Sequence, residues 1–262
     1  MSRDQRSEVR GQVDPEAHWF GFSKIDPKQK TAAVGDVFAS VADNYDLMND
    51  LMSGGLHRLW KDRFVRRCQV RPGQKVLDVA GGTGDIALRM LRATDGEIDL
   101  TVSDINPAML ERGKAKMLDQ GWRENKQLRF ALANAEALLF GDRSFDLVTI
   151  AFGLRNVTRI DQALQEFHRV LRPGGRLCIL EFSPNVARPL QPLYRRYSFT
   201  LLPLLGKYVA RDEAAYRYLA ESIQQFPTQT NLAKRMTQAG FHQASWLNFS
   251  GGICAMHEGW RI

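Results

Sequence analysis

A glycine-rich loop is the segment of this sequence whose residue types and spacing are best suited to chemistry. It ends a short apolar run, Lys75–Ala80, and reads Asp78-Val-Ala-Gly81-Gly82-Thr83-Gly84-Asp85. Glycines at a strand-to-helix turn let a ligand approach the backbone closely. No Gly-Lys-Ser/Thr follows, so the loop is not a P-loop. The pattern therefore predicts a site for a nucleoside-containing ligand of another kind.

Two kinds of ligand fit these glycines, and charge favours one of them. The loop satisfies the G-x-G-x-x-A dinucleotide pattern, and Asp104 lies 20 residues beyond Gly84, where a ribose-binding acid belongs. A diphosphate prefers bare backbone N–H groups at a helix N-terminus, whereas Asp78 and Asp85 place two carboxylates here. These carboxylates suit the ammonium and sulfonium groups of S-adenosylmethionine. Asp104 can accept hydrogen bonds from both ribose hydroxyls of the same ligand. A nicotinamide dinucleotide is the alternative that the glycines alone allow.

Further candidate residues follow two later predicted strands. Ligands of an open parallel sheet bind beyond the carboxyl ends of its strands. Asn134 and Ala135 follow the third strand, and the Asn134 amide could meet the edge of an adenine. Ala151 ends the fourth strand, and Arg155 and Asn156 come soon after it as a pair suited to handling a substrate. Taken alone, Asn134 is also typical of a turn, and Arg155 of an exposed arginine.

The elements that must position these residues alternate between strands and helices. The predicted strands are Lys75–Ala80, Ile98–Ser103, Leu128–Leu132, Phe145–Ala151, Arg176–Phe182, Gln243–Phe249 and Gly252–Glu258. The helices predicted among the first five strands are Asp85–Ala93, Pro107–Gln120 and Ile160–Leu171. This alternation predicts an α/β, Rossmann-like fold with a mostly parallel seven-stranded sheet and helices on both faces.

The flanks of this alternation carry the predicted domain organisation. We expect residues 1–18 to form a flexible polar tail and residues 19–262 a single domain. Within that domain, residues 19–70 form a helical lid, and residues 190–224 form a helical insertion, after the fifth strand, that covers the substrate. The length suits one large α/β domain.

Composition excludes several classes of protein. The chain has 262 residues, 44% hydrophobic and 25% charged, which is not the composition of a collagen, a coiled coil or a disordered chain. Its net charge of +7 favours an anionic partner or solubility. The basic residues are scattered, so no nucleic-acid partner is expected. Three separated cysteines suggest neither a disulfide framework nor a zinc site, and no metal cluster is apparent. The polar N-terminus lacks a signal-peptide core, which favours a cytoplasmic location.

A motif ahead of the glycine loop is more specific than the loop itself. It reads Tyr45-Asp-Leu-Met-Asn-Asp-Leu-Met-Ser-Gly-Gly-Leu-His57-Arg-Leu-Trp60. In residue types and spacing it resembles the first signature of the UbiE-type ubiquinone/menaquinone biosynthesis C-methyltransferases. The segments 152–157, 169–177 with 181–183, and 216–223 are also similar to that family. The glycine loop and the Arg172-Pro-Gly-Gly turn occur in many class I methyltransferases and indicate only that superfamily.

The resemblance implies a class I methyltransferase that uses S-adenosylmethionine to methylate a ring carbon of a prenylated quinol. The substrate would be demethylmenaquinol, 2-polyprenyl-6-methoxy-1,4-benzoquinol, or both. The resemblance implies cofactor contacts at Thr83, Asp104, Asn134, Ala135 and Ala151. The family usually has serine at the position of Ala151. From the glycine loop itself we add Asp78 and Gly81. Arg155 and Asn156 would line the substrate side, with Arg155 acting on a quinol hydroxyl through water, and Tyr45 would close over the pocket. His57 is a rival acid–base group, although ordering of the lid near Trp60 is the simpler interpretation.

Partners follow from the substrate and from one apolar segment. Residues 190–209 combine leucines and aromatics with Arg195, Arg196 and Lys207. This composition is typical of a segment that touches a membrane surface, and equally of a helix packed on the sheet. We expect a prenylated quinol as substrate, contact with the inner face of the membrane, and a complex of quinone-biosynthesis enzymes. The alternatives are a methyltransferase acting on RNA or another small molecule, and a non-catalytic scaffold.

Overall fold

The computed structural model describes residues 19–24, 26, 29–30, 33–35, 50, 53–125, 127–187, 189, 191–197 and 213–262. The strands are β1 (Trp19–Phe20), β2 (Ser23–Lys24), β3 (Lys75–Val79), β4 (Asp99–Asp104), β5 (Leu128–Leu132), β6 (Phe145–Ala151), β7 (Leu171–Phe182), β8 (His242–Phe249) and β9 (Cys254–Trp260). The helices are α1 (Leu56–Cys68), α2 (Asp85–Ala93), α3 (Pro107–Asp119), α4 (Ile160–Val170), α5 (Gln191–Arg196), α6 (Glu213–Gln225) and α7 (Gln229–Gln238). Tyr45, the tail 1–18, and large parts of the predicted lid and insertion lie outside the described residues.

Seven strands form one sheet in the order β5-β4-β3-β6-β7-β9-β8. Neighbours from β5 to β7 pair in parallel, and β9 pairs antiparallel with both β7 and β8. This confirms the predicted fold class. The chain runs outward from β3 in both directions, to β4 on one side and to β6 on the other, so β3 lies at the topological switch point. The glycine loop follows β3 and therefore lies where such sheets bind ligands.

Helices cover both faces of the sheet, so its central strands are buried on both sides. Neighbouring residues of a strand point to opposite faces and therefore enter different apolar clusters. Val76 belongs to one apolar cluster, which includes Phe64 of α1 and residues of α2 and α3. Leu77, the next residue of β3, belongs to a second cluster with Phe167 of α4 and Met236 of α7. Each central strand is thus held from both faces, which fixes the positions of the loops at its carboxyl end.

Helix α3 begins where the Asn106-Pro107 pair predicts. Asn106 caps the helix, its Oδ1 accepting from the backbone N–H of Ala108 at 2.9 Å, and Pro107 occupies the first helical position. Proline costs little there because the N–H that it lacks would have no partner within the helix. This sharp start immediately follows Asp104, the last residue of β4.

Strand β7 starts earlier than the sequence predicts. We expected a turn at residues 172–175 and a strand from Arg176, but β7 already begins at Leu171, which pairs with Phe145. The next pair is Leu147 with Arg176, so residues 172–175 form an insertion within the strand. The insertion is held by Arg261, whose carbonyl accepts from the Gly174 N–H at 2.7 Å. Backbone pairing with a distant strand therefore extends β7 beyond its apolar run.

None of the helices in the described ranges has both the length and the apolar character that a bilayer span requires.

Candidate active site

The glycine loop turns sharply between β3 and α2. Ala80, Gly82 and Gly84 all have positive φ angles, of 49°, 50° and 73°. Gly81 donates its N–H to the carbonyl of Ser103 at 2.9 Å, and a Cβ added to it would lie 2.6 Å from Val102 Cγ1. The loop is thus pressed against β4 and leaves no room for a side chain there. Its open side can receive a ligand at backbone distance.

Gly113 of α3 packs against the backbone of this loop, a contact that was not predicted from the sequence. A Cβ at Gly113 would lie 2.6 Å from the carbonyl oxygen of Gly82. Because this neighbour is backbone and not a flexible side chain, α3 and the loop could accommodate the Cβ only by separating. Gly113 therefore fixes the position of the loop.

We expect Gly113→Ala to weaken binding of S-adenosylmethionine about tenfold, since overpacking of this kind displaces backbone. In an unconstrained helix the same change would stabilise by about 1 kcal/mol, because alanine has the higher helix propensity. Isothermal titration calorimetry measures the affinity. Gly141→Ala is the matched control, because its added Cβ would have only the Ser144 hydroxyl near it, at 3.4 Å. Equal affinity in Gly113→Ala and wild type would show that α3 does not hold the loop.

Asp104 joins the end of β4 to the glycine loop. Its Oδ2 accepts from the Gly82 N–H at 2.9 Å, and its Oδ1 accepts from the Asn106 N–H at 2.8 Å. Burial raises the pKa of the Asp104 carboxyl, although these N–H groups oppose the rise. Each carboxylate oxygen has a second acceptor position. The predicted role, accepting both ribose hydroxyls, is therefore compatible with this geometry.

Asp78 is a buried carboxylate with one oxygen unused by the described residues. Its Oδ1 accepts from the Thr149 hydroxyl at 2.7 Å, while Oδ2 has no hydrogen-bond partner among them. Burial raises the pKa of Asp78 to about 7; the charges of Asp104 and Asp85 add to the rise, while the Thr149 hydroxyl and the more weakly placed backbone N–H of Ala87 oppose it. A buried, unpartnered acceptor is costly unless a ligand uses it. This oxygen fits a cationic group of the ligand.

Asp85 lines the smaller cavity, and its carboxylate is paired with cations. Its Oδ2 lies 2.7 Å from Lys61 Nζ, and its Oδ1 pairs with Arg89. Burial alone would raise the pKa of Asp85, but the positive charges of Lys61 and Arg89 hold it well below its usual range. The carboxylate that the sequence predicts here is therefore present, and α1 and α2 supply cations that pair with it.

Two adjoining cavities bring most of the predicted site residues together. The larger, about 830 Å³ in volume, is lined among others by Asp104, Asn134, Ala135 and Asn156. The smaller, about 360 Å³, is lined among others by Asp78, Gly81, Thr83 and Ala151. Ala80, Gly82 and Phe152 line both. Phe152 has a positive φ of 56°, a strained conformation that places it between the two cavities.

Arg155 lines neither cavity, although it follows Phe152 closely in the chain. Its Nη1 donates to Glu181 Oε1 and to the Phe152 carbonyl, both at 2.7 Å, and both charged side chains are 1% exposed. Glu181 Oε2 also accepts from the Arg155 backbone N–H at 3.2 Å. The ion pair thus braces the turn that carries Phe152 and Asn156 to the cavity.

Asn156 reaches the larger cavity with a partner that the sequence analysis did not assign to the site. Its Oδ1 accepts from the Tyr218 hydroxyl of α6 at 3.1 Å. Burial raises the pKa of Tyr218 to about 12, so this hydroxyl stays protonated near neutral pH. With Oδ1 engaged, the Asn156 amide presents its N–H donors for other contacts. Tyr218 lies inside segment 216–223, so the resemblance was the signal that could have identified it.

Asn134 and His57 combine predicted roles with local structure. Asn134 Oδ1 accepts from the Glu136 N–H at 2.9 Å, which is typical of a turn and leaves its amide N–H donors available for a ligand.

His57 is 3% exposed, with Nε2 2.9 Å from Asp50 Oδ1 and its backbone N–H bonded to Ser53 Oγ. Burial, and then the charge of Lys61, lower the pKa of His57. These contacts hold the first turn of α1 in place. His57 lines neither cavity, so this geometry favours the structural interpretation of the residue over the acid–base one.

The residues present fit S-adenosylmethionine. A nucleoside carrying an α-amino acid needs a carboxylate for its ribose, backbone close to the sugar and an acceptor for its ammonium. Asp104, the crowded glycine loop and the unused Oδ2 of Asp78 supply these features. The same residues fit a diphosphate poorly, because the buried carboxylate of Asp78 lines the cavity at the helix N-terminus where a diphosphate would bind.

Comparisons with known proteins agree with this geometry. A model of the ubiE/COQ5 methyltransferase family matches residues 26–261. The chain is 50% identical over 243 residues to the ubiquinone/menaquinone biosynthesis C-methyltransferase UbiE of Coxiella burnetii (strain RSA 331 / Henzerling II), covering 93% of this chain and 96% of that protein. It is 49% identical over 247 residues to the protein of the same name from Pseudomonas aeruginosa (strain LESB58), covering 94% and 95%.

Solved structures share the fold at much lower identity. A SAM-dependent methyltransferase of Thermotoga maritima superposes with a TM-score of 0.60 at 16% identity, covering 87% of this chain and all of that one. A SAM-dependent methyltransferase of Aquifex aeolicus gives a TM-score of 0.59 at 13% identity, covering 83% and 98%. At these identities the likeness concerns the fold alone.

Proposed function

The chain belongs to the ubiE/COQ5 methyltransferase family, and we propose that it methylates a ring carbon of a prenylated quinol in ubiquinone biosynthesis, menaquinone biosynthesis or both. It is a C-methyltransferase that uses S-adenosylmethionine. The substrate that we propose is demethylmenaquinol, 2-polyprenyl-6-methoxy-1,4-benzoquinol, or both. The observation that carries this function is the identity of 50% across 93% of the chain to a quinone-biosynthesis C-methyltransferase. Two adjoining cavities support this proposal, because the predicted cofactor residues line both of them and the larger one also has apolar residues such as Val157.

The donor is held by residues of both cavities. Asp104 would accept hydrogen bonds from the ribose hydroxyls, and Asn134 and Ala135 would contact the adenine. Asp78 would accept a hydrogen bond from the α-ammonium group. Thr83 and Ala151 line the smaller cavity around the amino-acid end. Ala151 has no hydroxyl, so it contributes packing where the family usually has serine. When bound, S-adenosylmethionine supplies a methyl group on a positively charged sulfur.

The acceptor ring occupies the larger cavity beside Phe152, Val157 and Asn156. A quinol carbon becomes nucleophilic when an adjacent hydroxyl loses or shares its proton, which pushes charge into the ring. The Asn156 amide donates to that oxygen and stabilises its charge, because Tyr218 engages Asn156 Oδ1 and sets the orientation of the amide. Tyr45 lies outside the described residues, and the resemblance to the family alone supports our proposal that it closes over the pocket.

Arg155 acts as a positioning residue in this proposal. An arginine is a poor base at its usual pKa, and this one is held by Glu181 beneath the cavity wall. It keeps the Phe152 carbonyl and the Asn156 turn in place. Solvent takes the hydroxyl proton, and after the methyl group has moved from sulfur to the ring carbon, that carbon releases its own proton to solvent and the aromatic ring is restored. Holding donor and acceptor in line supplies most of the catalysis, because methyl transfer needs little side-chain chemistry.

A methyl-transfer assay with radiolabelled S-adenosylmethionine tests this function. Short-chain analogues of the benzoquinol and naphthoquinol precursors are offered under reducing conditions. We expect label on a ring carbon, and much less label with Asp104→Ala, because that variant lacks the ribose acceptor. The relative rates rank the two substrates. Absence of label from both quinols, with S-adenosylmethionine still bound, would contradict the substrate and favour RNA, another small molecule or a scaffold role.

We also propose that the enzyme meets its substrate at the inner face of the membrane, within reach of a quinone-biosynthesis complex. A prenyl tail partitions into lipid, and the net charge of +7 favours anionic headgroups. Leu56 and Leu59 of α1 are 40% and 57% exposed beside the exposed Arg58. Of the apolar segment 190–209, only residues 191–197 are described. Failure to co-sediment with anionic vesicles at low salt would contradict membrane contact.

A further inference from the structure

Lys61 is a buried cation that lines the smaller cavity. Its side chain is only 5% exposed, and its Nζ lies 2.7 Å from Asp85 Oδ2 and 5.9 Å from the centre of the Phe152 ring. Lysine is rarely buried so completely unless its charge is paired. Its position directly after Trp60, on the face of α1 that meets the glycine loop, brings this charge to the donor site.

Asp85 does not by itself account for Lys61. The same carboxylate pairs with Arg89 through Oδ1, and Lys116 Nζ lies 4.0 Å from that oxygen. The negative charge of Asp85 is therefore met from α2 and α3 as well as from α1. An ammonium group has three donors, so Lys61 can hold Asp85 with one of them and bind an anion within the cavity with another.

Opposite charges thus line one small cavity. Asp78 presents a buried oxygen without a partner among the described residues, and Lys61 presents a buried ammonium. An α-amino acid carries the complementary pair, an ammonium and a carboxylate on one carbon. Such a zwitterion satisfies the acid and the base together, whereas a neutral ligand would leave both buried groups poorly compensated.

We propose that Lys61 binds the α-carboxylate of S-adenosylmethionine, while Asp78 accepts from the α-ammonium across the same cavity. The inference rests on the methyl donor of the proposed function and not on the quinol. It makes Lys61 a residue that selects donors with an intact amino acid, because a ligand without the carboxylate leaves the Lys61 charge without this partner. Charge-assisted contacts of this kind are among the stronger hydrogen bonds in proteins.

Calorimetric titration of the full chain with S-adenosylmethionine and with decarboxylated S-adenosylmethionine tests this role, since the two ligands differ only by the carboxylate. We expect wild type to prefer the intact ligand by about 10- to 100-fold, the range for one hydrogen bond to a charged group. Lys61→Gln should lose most of that preference, chiefly through weaker binding of S-adenosylmethionine. Lys116→Gln removes a charge near the same Asp85 from a side chain that is 35% exposed, and it should retain the preference.

Two results would overturn the proposal. One is equal affinity of wild type for the two ligands, which needs no variant. The other is a Lys61→Gln variant that binds both ligands more weakly by the same factor, which is the signature of a structural role through Asp85. Should Lys61→Gln not fold, Lys61→Met replaces it, and the same loss of preference is expected because methionine keeps an unbranched apolar side chain but carries no charge. The readout is binding, so the quinol assignment can fail in the transfer assay while this result stands.

Discussion

Arg155→Met should lower the free energy of unfolding by about 3–5 kcal/mol, the usual cost of leaving one member of a buried ion pair alone. The pair is Arg155 Nη1 with Glu181 Oε1 at 2.7 Å, and each side chain is 1% exposed. Without the guanidinium, Glu181 keeps a buried negative charge, and its remaining partners include the N–H groups of Arg155 and Phe182. Urea denaturation followed by circular dichroism measures the loss.

The double variant Arg155→Met/Glu181→Met separates stability from catalysis. It removes both charges and restores apolar volume, so we expect most of the stability to return. Methyl transfer should stay low, because the turn that carries Asn156 has lost both the guanidinium on the Phe152 carbonyl and the carboxylate on the Arg155 N–H. Recovery of activity together with stability would show that the pair does not position the site. If Arg155→Met were as stable as wild type, the expectation that it leaves an unpaired buried charge on Glu181 would be wrong.

The elements of this fold were largely predictable because their signals are local. The helix Asp85–Ala93 and the strands Leu128–Leu132 and Phe145–Ala151 were predicted with the bounds observed. The Asn106-Pro107 start of α3 likewise depends on residues next to one another. Apolar runs, glycines and a capping pair are read within a few residues, and the alternation of elements then determines a parallel sheet.

The polar partnerships of the site were not predictable, because they join residues distant in sequence. Lys61 and Asp85 are 24 positions apart, Arg155 and Glu181 are 26 apart, and Tyr218 and Asn156 are 62 apart. Each pair depends on how α1, β7 or α6 packs beside a loop, which periodicity does not encode. For this reason the sequence placed Asp85 correctly on the first turn of a helix but gave no sign of the cations that pair with it.

The Asp78→Asn substitution should make the ligand-free protein more stable at alkaline pH. The pKa of Asp78 is about 7 in the folded protein and 3.8 in the reference state, so the folded protein holds this proton to a higher pH than the unfolded chain. Stability therefore falls as pH rises between these values. Above pH 7 the full cost of ionising Asp78 is present, about 4 kcal/mol as an upper limit for a shift of roughly three units. Asparagine does not ionise, so the variant avoids this cost.

Thermal unfolding at several pH values measures this effect. We expect the melting temperature of Asp78→Asn to exceed that of wild type most at about pH 8 and the difference to shrink toward pH 4, following the protonation of Asp78. Asp95→Asn is the matched control, because Asp95 is exposed and has a positive φ that asparagine tolerates. A difference that is independent of pH would show that Asp78 is not the titrating group.

The same substitution should impair donor binding while it stabilises the fold. Only the ionised Asp78 can pair with the α-ammonium, so wild-type affinity for S-adenosylmethionine should fall about tenfold for each pH unit below 7. Asp78→Asn should bind weakly and without this slope, because it carries no charge at any pH. Calorimetric titration between about pH 5 and pH 7.5 measures both curves. Equal slopes in the two proteins would assign the pH dependence to another group. If both results are found, the buried Asp78 lowers the stability of the ligand-free protein and raises its affinity for S-adenosylmethionine. We would then conclude that Asp78 is buried because the ligand needs it.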